Sequence, residues 1–253
     1  MPLTAVDVAL LPAEAAHANA DCYVIIDLLR ATTTMAVALS RGVRRVHVVR
    51  TVEEARERRG SALLAGEVGG LRPEGFDFGN SPCEMLRAAP EGQDLILATT
   101  NGTKAILAVA GRGAVIAASF ANLSAAARAA SAYERVLVVC AGTEGTRRFA
   151  LEDAVAAGAL VSRLLREAPQ ADLGDGALLA LQLTAGEPLP NLVRRARHAR
   201  YLESIGLAED VAFATKVDVI DVVPALERYD EAQATFAALV PATEPAANRP
   251  RDG

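Results

Sequence analysis

Six short runs of apolar residues, many of them β-branched, recur along the chain, and each is followed by turn residues and a helical pattern. The runs cover 22–26, 46–49, 62–65, 95–98, 114–117 and 136–139. The helical patterns cover 32–40, 52–59, 82–89, 103–110, 123–132 and 151–166. Nearly continuous apolar strands that alternate with helices indicate a sheet buried on both faces. We therefore predict an α/β fold: a layered sheet, largely parallel or mixed, with helices on both faces.

Segments outside this alternation define the predicted domain organisation. Residues 4–10 and 217–223 could each add a strand, and one of the two could be antiparallel. Residues 170–176 contain Gly and Asp and are predicted to form a linker or surface loop, at which two subdomains could meet. The end of the chain is rich in Pro, Ala and Arg, which is typical of a frayed terminus. We predict a single α/β domain over 1–240 and a flexible tail over 241–253.

Composition excludes several classes of protein. With 253 residues, 51% of them hydrophobic, the chain can bury a substantial core. A net charge of −5 argues against a nucleic-acid partner, and no apolar run approaches the ~20 residues that span a bilayer. The three cysteines lack the spacing of a disulfide framework or a zinc site, and no secretory signal is visible. We predict a cytoplasmic protein without membrane partners, and a homo-oligomer whose interface the apolar C-terminal third could supply.

Polar residues gather directly after the predicted strands, where open α/β sheets bind ligands. Asp27 and Arg30 follow the first run, and could bind a cation and an anion respectively. The threonines 32–34 that follow are favourable in a helix's first turn that faces an anion, although they also fit an ordinary helix start. The predicted sheet therefore has one edge lined by carboxylates, hydroxyls and cations.

The turn Thr99-Thr100-Asn101-Gly102-Thr103-Lys104 is the strongest of these signals. It follows a buried strand, opens a helix, and offers backbone amides, hydroxyls and one ammonium group. Those groups together suit a tetrahedral dianion. The sequence GxxxxGK[ST] is absent, so nucleotide binding is not implied. The alternative is an ordinary Asn-Gly turn with Lys104 facing solvent.

The segment GFDFGNSPCE at 75–84 predicts a helix start with a capping box, in which Ser81 is the N-cap and Glu84 returns to the Ser81 amide. Amides left free at this helix start could face an anion. Asp77 could reach a metal or close an Asx turn. Both a structural and a substrate-binding role therefore stay open for this segment.

Five carboxylates in the predicted loops are candidate metal ligands: Asp27, Glu67, Asp77, Glu152 and Asp153. The three histidines all lie outside the strand-end loops. Hard oxygen ligands without imidazole favour Mg²⁺ over zinc. Mg²⁺ beside a pocket for a phosphate-sized anion indicates phosphoryl transfer to or from a small anionic phosphorylated substrate.

At these residues the chain resembles the 2-phosphosulfolactate phosphatase family. The segments that carry the resemblance are, in order, IIDLLRATTT, GE, GFDFGNSPCE, TTNGTKA, CAGTEG and FALEDAVAAG. It extends over residues 20–225 and includes HARYLESIGLAEDVAFAT and VDVIDVVP. The resemblance implies an α/β phosphatase that uses Mg²⁺ to hydrolyse 2-phospho-3-sulfolactate to 3-sulfolactate and phosphate. In methanogens that step serves coenzyme M biosynthesis.

Residue by residue, the resemblance and the strand-end pattern give three predicted groups. The catalytic residues are Asp27, Arg30 and Lys104. The substrate-binding residues are Thr32, Thr33, Asn80, Ser81, Thr100, Asn101, Gly102, Thr103 and Arg147. The metal ligands are the five carboxylates, and Gly142 is also implicated. One departure is Val68, which stands where the family pattern has Arg; either Arg72 or Arg147 compensates, or the natural substrate is a related phosphorylated 2-hydroxy acid.

Two alternatives remain open at this level. The nucleophile could be a water activated by the metal with a carboxylate base, which we favour, or Asp27, or a thiol of Cys83 or Cys140. The chain could also be a non-catalytic protein that binds a phosphorylated metabolite with Mg²⁺. Several carboxylates beside anion-binding turns favour catalysis, because a pure anion binder gains nothing from added negative charge.

Overall fold

A computed structural model describes residues 3–88, 90–230 and 233–239. The strands are β1 (Ala5–Ala9), β2 (Cys22–Ile26), β3 (Arg45–Val49), β4 (Leu63–Gly66), β5 (Phe78–Gly79), β6 (Asp94–Ala98), β7 (Ala114–Ala118), β8 (Arg135–Cys140), β9 (Asp172–Leu173), β10 (Val223–Asp230) and β11 (Gln233–Leu239). The helices are α1 (Pro12–Ala15), α2 (Ala31–Ser40), α3 (Val52–Glu57), α4 (Pro82–Ala88), α5 (Gly102–Val109), α6 (Leu123–Ala130), α7 (Leu151–Glu167), α8 (Asp175–Thr184), α9 (Leu189–Arg195), α10 (Arg197–Ser204) and α11 (Ala208–Ala214). The predicted α/β fold is confirmed.

The eleven strands form one sheet in the order β5-β4-β6-β3-β11-β10-β7-β2-β8-β1-β9. The pairs on either side of the β10–β11 hairpin are parallel, whereas the hairpin pairs antiparallel with itself, with β3 and with β7. The hairpin therefore lies in the middle of the sheet, between two parallel groups of strands. Three antiparallel pairings separate β3 from β7, so the two parallel groups run in opposite directions: β4 and β6 belong to one group, and β2 and β8 to the other.

Two large apolar clusters cover the two faces of the sheet. Alternate residues of β2 divide between them: Val24 and Ile26 pack with α6 and α7, while Tyr23 and Ile25 pack with α2 and α5. All five residues of β2 are buried, as expected for a central parallel strand. The predicted helices on both faces are thereby confirmed. Across the described residues, no helix is long and apolar enough to cross a membrane.

Of three expectations about the outer segments, the first is confirmed and the other two need revision. Segment 4–10 does contain a strand, β1, which is parallel to β8. Segment 170–176 is not simply a loop: it holds the short edge strand β9 and the first residues of α8. In the segment 217–223, only Val223 belongs to a strand, because the amides of residues 218–220 bond instead to the carbonyls of Phe120 and Ala121. The predicted tail at 241–253 lies outside the described residues.

Candidate active site

A cleft of ≈ 480 Å³ opens where the loops after β2, β4, β6 and β8 meet the start of α10. Three of the carboxylates that line it we call the acidic floor: Asp27, Glu67 and Glu152. Asp27 and Glu152 are buried, and Glu67 is half-buried. Within the described part of the chain, none of the three forms an ion pair. The floor therefore concentrates negative charge that no basic side chain neutralises.

Two members of the acidic floor have their ionisation shifted by their surroundings. Burial first, and then the neighbouring Glu67 carboxylate, raises the pKa of Asp27 to about 6. Burial and the nearby Asp27 raise the pKa of Glu152 to about 7. Both shifts have the same cause, because a low-polarity environment and a like charge each disfavour the ionised form. A cation between these side chains would stabilise both carboxylates.

The turn between β6 and α5 brings its backbone against Asp27. A Cβ atom at Gly102 would lie 2.7 Å from Asp27 Oδ2 and 2.6 Å from the Ala31 Cβ, so only glycine allows this approach. The Gly102 amide helps to lower the Asp27 pKa, and the Ala31 amide donates to Asp27 Oδ1 at 3.2 Å. Both oxygens of Asp27 are thus oriented by backbone groups.

Glu67 shapes the cleft by holding two loops. Its Oε1 accepts the Thr100 amide at 2.7 Å and its Oε2 accepts the Gly70 amide at 2.8 Å. Thr100 and Asn101 both line the cleft, and Asn101 Oδ1 in turn accepts the Gly145 amide at 2.8 Å. These hydrogen bonds connect the loops after β4, β6 and β8 to one another along one side of the cleft.

Asn80 is the predicted substrate-binding residue with the clearest unmet polar group. It lines the cleft, is buried, and its Oδ1 has no hydrogen-bond partner among the described residues. A buried polar atom without a partner is costly unless a ligand or solvent molecule satisfies it. Asn80 therefore supports a ligand site at this position.

Several predicted substrate-binding residues prove to be structural. Thr32 Oγ1 donates to the Asp27 carbonyl at 2.9 Å, and Thr33 Oγ1 donates to the Leu28 carbonyl at 2.9 Å. Thr103 Oγ1 likewise donates to the Thr99 carbonyl at 2.7 Å. All three side chains are fully buried and lie outside the cleft lining. They hold the strand-to-helix turns in place rather than facing an anion.

The groups at the start of α4 that could bind an anion are already bonded to the carboxylate of Asp210 in α11. Asp210 Oδ1 accepts the Ser81 hydroxyl at 2.7 Å and the Cys83 amide at 3.3 Å. Ser81 also accepts the Glu84 amide at 3.1 Å, as the capping box predicts. Glu84, however, accepts the Gly79 amide at 2.6 Å and is not bonded to the Ser81 amide as we expected. The prediction that Ser81 binds substrate is not supported by this geometry.

Arg30 lines the cleft and is held there by two protein groups. Its Nη1 forms a buried ion pair with Asp210 Oδ2 at 2.7 Å, and its Nη2 donates to the Gly70 carbonyl at 2.6 Å. Arg30 was predicted as a catalytic cation, and the structure instead gives it a positioning role. It connects the β2 loop to α11 and to the turn that contains Gly70.

Two of the predicted metal ligands have other partners. Asp77 pairs with Arg59 at 2.9 Å and accepts the Leu64 amide, and it lies outside the cleft. Asp153 is buried, and its oxygens accept the Leu28 amide at 2.9 Å and the Gly142 amide at 3.0 Å. Across the described residues, no group of three or more His, Cys, Asp or Glu side chains is arranged to hold a metal. Of the five predicted ligands, Asp27, Glu67 and Glu152 line the cleft, and Asp77 and Asp153 do not.

Lys104 and Arg147 also lie outside the cleft lining. Lys104 is exposed beside Gly145, and Arg147 donates from Nε to the Glu144 carbonyl at 3.0 Å. The exposed position of Lys104 matches the alternative of an Asn-Gly turn with a solvent-facing lysine. Val68 and Arg72 do not line the cleft either, so Arg72 does not replace the arginine expected at position 68.

Sequence reasoning missed the residues that the C-terminal helices bring to the cleft. Arg197, His198 and Tyr201 of α10 line it, as do Glu144 and Arg148 of the loop after β8. Burial and the Arg30 guanidinium lower the pKa of His198. The spacing of His198 and Tyr201 by three residues within a predicted helix is a signal that places both on one face. Nothing in that local pattern indicates which cleft the face meets.

The thiols are poorly placed for nucleophilic attack. Burial raises the pKa of Cys140 well above its ordinary value, and burial with Asp210 raises that of Cys83 to about 11. A helix start can lower the pKa of a nearby thiol, but at Cys83 the Asp210 carboxylate opposes ionisation. Neither cysteine lines the cleft.

Comparison with known proteins places these features in a family. The model of the 2-phosphosulpholactate phosphatase family matches residues 9–229. The chain belongs to the 2-phosphosulfolactate phosphatase family. A probable 2-phosphosulfolactate phosphatase of Thermotoga petrophila is 43% identical over 206 residues, which are 80% of this chain and 88% of that protein. Proteins of the same name from Deinococcus radiodurans and Carboxydothermus hydrogenoformans are 38% identical over 221 residues and 35% identical over 223 residues.

The alignments with these relatives cover most of the chain, as the family match does. The Deinococcus alignment covers 85% of this chain and 91% of that protein, and the Carboxydothermus alignment covers 87% and 92%. The resemblance predicted from the sequence is confirmed. The 2-phosphosulfolactate phosphatase family is named for phosphoric monoester hydrolysis, and all the segments that form the cleft lie inside the matched region.

Proposed function

We propose that the chain is a Mg²⁺-dependent phosphatase that hydrolyses 2-phospho-3-sulfolactate, or a related phosphorylated 2-hydroxy acid, to the hydroxy acid and phosphate. The observation that carries the proposal is the pair of buried carboxylates without a cationic partner, Asp27 and Glu152, in the strand-end cleft of a chain of this family. The family and the names of the relatives support the activity, and the donor set supports the metal.

Two carboxylates are enough protein ligands for a Mg²⁺ site. Mg²⁺ is typically held by one or two carboxylates, with water and substrate phosphate completing six oxygens. Asp27 and Glu152 would hold it, because both line the cleft, whereas Asp153 and Asp77 do not. When bound, Mg²⁺ would neutralise phosphate charge and polarise an attacking water.

The chain's own groups position the remaining parts of the reaction. The NH₂ group of the Asn80 side chain and the hydroxyl of Thr100 would donate to the phosphate oxygens, since both residues line the cleft. A water attacks phosphorus and gives its proton to a carboxylate of the acidic floor; the ester P–O bond breaks, and the departing oxygen takes up a proton to give the hydroxy acid. We infer water rather than Asp27 as the nucleophile, because Asp27 Oδ1 accepts the Ala31 amide and Oδ2 lies against Gly102.

The test is phosphate release from 2-phospho-3-sulfolactate and from other phosphorylated 2-hydroxy acids, with Mg²⁺ and with a chelator. We expect turnover only with Mg²⁺, and a loss of roughly 100-fold or more in D27N and E152Q. Calorimetric titration with Mg²⁺ alone should show binding weakened about tenfold or more in both variants. Glu203→Gln, an exposed change on α10, is the control and should match the parent.

Two results would contradict the proposal. Turnover that persists in the chelator would remove the metal from it. Binding of the phosphorylated acids without phosphate release in any condition would instead favour a metabolite-binding protein.

A further inference from the structure

We propose that Arg148 and Arg197 form a subsite for a second oxyanion of the substrate, a carboxylate or sulfonate carried beside the phosphate ester. This inference rests on the proposed phosphatase function. The two arginines come from distant parts of the chain, the loop after β8 and the first residue of α10, and both line the cleft. We call this pair the basic rim.

The basic rim has one carboxylate for two guanidinium groups. Arg148 Nη1 lies 3.4 Å from Glu144 Oε1, and Arg197 Nη1 lies 3.6 Å from the same oxygen. Charge-assisted hydrogen bonds of full strength are shorter, about 2.7–2.9 Å. A single oxygen atom therefore serves both cations weakly, and the rim keeps one net positive charge.

Exposure makes the Glu144 contacts easy to replace. The side chains of Arg148 and Arg197 are 61% and 79% exposed, and that of Glu144 is 44% exposed. Exposed ion pairs contribute little and are screened by salt. An oxyanion of a ligand would compete with Glu144 for the same donors, and it could satisfy both guanidiniums at shorter distances.

The other basic side chains that line the cleft, Arg30 and His198, are less able to bind an added oxyanion. Arg30 is held by Asp210 and by the Gly70 carbonyl. Burial and the Arg30 guanidinium lower the pKa of His198, which disfavours its charged form. Among the described residues that line the cleft, the basic rim is thus the place where an added negative charge meets unfilled donors.

The cleft has negatively charged groups in the acidic floor and positively charged groups in the basic rim, and this arrangement indicates the class of substrate. A phosphate monoester with no other charge would use the acidic floor through Mg²⁺ and leave the rim without a partner. A phosphorylated 2-hydroxy acid carries its phosphate and a second oxyanion on adjacent carbons, so one end can reach the floor while the other reaches the rim. The structure therefore assigns Arg148 and Arg197 to substrate specificity.

The experiment compares R148Q, R197Q and the double variant on three substrates. These are 2-phospho-3-sulfolactate, 2-phospholactate, which lacks the sulfonate, and isopropyl phosphate, which has no second anion. We expect each single variant to lose roughly 10–100-fold in kcat/KM on substrates with the second anion, mainly through KM. On isopropyl phosphate the variants should stay within about twofold of the parent. A loss on 2-phospho-3-sulfolactate alone assigns the rim to the sulfonate, and an equal loss on 2-phospholactate assigns it to the carboxylate.

Two further variants separate recognition from a structural effect. Arg194→Gln removes an exposed arginine of α9 that does not line the cleft, and it should leave all three substrates unchanged. Glu144→Gln removes the competing carboxylate and should lower KM for the substrates with a second anion. A loosened loop would instead raise KM for every substrate.

The proposal is overturned if the rim variants lose activity equally on all three substrates, or if they lose none. If the parent releases no phosphate from any substrate, the proposed phosphatase function fails by itself. Calorimetric binding of 3-sulfolactate then decides the subsite: binding weakened tenfold or more in the double variant supports it, and unchanged binding removes it.

Discussion

The position of Glu152 has two opposite effects on its ionised carboxylate: the start of a helix stabilises the charge, and burial destabilises it. Glu152 lies in the first turn of α7, where a carboxylate is normally stabilised by the helix dipole. It is also buried, and burial together with the Asp27 charge raises its pKa. Burial raises the pKa of Asp27 and Asp153 as well, with added repulsion from Glu67 on Asp27 and from Asp27 and Glu152 on Asp153. Residues that serve a ligand site often reduce stability in this way.

This position leads to a pH-dependent prediction for the metal-free protein. The Glu152 pKa rises from 4.5 to about 7 on folding, so between those values the folded state binds more protons than the unfolded state. The stability contribution is present below about pH 4.5 and is lost as the pH rises through about 7. E152Q should therefore be more stable than the parent near pH 8, by about 1–3 kcal/mol, and nearly equal to it near pH 4.

Urea denaturation in the presence of a chelator, at several pH values, measures this difference. Glu203→Gln removes an exposed carboxylate from α10 and should show no such pH dependence. A constant difference between E152Q and the parent at every pH would contradict the argument.

At the scale of elements, Asp210 connects helices that are far apart in the chain. It accepts bonds from the start of α4 through Ser81 and Cys83, and it pairs with Arg30 before α2. The Arg30–Asp210 pair is almost fully buried, with 2% of each side chain exposed. Removing one member of such a pair leaves an uncompensated buried charge, which is more costly than losing the attraction alone.

We expect Asp210→Asn to lower the free energy of unfolding by about 3–5 kcal/mol. The neighbouring Glu209→Gln is the matched control, because Glu209 pairs with Arg87 in an exposed position and should change stability by about 0.5 kcal/mol or less. Chemical denaturation of both variants provides the comparison. Equal effects at 209 and 210 would show that burial of the pair does not matter.

Asp210 also shows where prediction from the sequence stops. The start of α4 at Pro82 and the Ser81 cap follow from a local pattern and are correct. The six strands predicted from apolar runs, β2, β3, β4, β6, β7 and β8, are correct to within one or two residues. The group that occupies the start of α4 lies 129 residues from Ser81, so no local pattern identifies it. For the same reason the carboxylates Asp27, Glu67 and Glu152 could be predicted from their strand-end loops, whereas His198 and Arg197 of α10 could not.

At the scale of the whole molecule, the β10–β11 hairpin joins the two parallel groups of strands. Phe236 of β11 is fully buried, and it pairs with Val46 of β3 on one side and Leu226 of β10 on the other. The hairpin was not predicted, because the apolar run 217–223 precedes it and β10 itself carries charged residues at its exposed end. Its position in the middle of the sheet results from pairing with β3 and β7, which are distant in sequence.

Phe236→Ala should destabilise the protein by about 3–5 kcal/mol, because it leaves a cavity at the centre of the sheet. Leu239→Ala, a half-exposed position on the same strand, should cost less than about 1 kcal/mol. Hydrogen exchange supplies the second measurement: F236A should weaken protection in both β3 and β7. Weakened protection on one side alone would show that the hairpin does not couple the two groups.

The place of the hairpin also has a consequence for synthesis on the ribosome. Residues that form nine of the eleven strands leave the exit tunnel before β10 and β11 do, and until then β3 and β7 present unpaired edges. Translation adds only about 5–20 residues per second, so each nascent chain passes through a period of seconds with two incomplete half-sheets. A chaperone that shields strand edges would act on this protein during that period, before the last strands arrive to close the gap.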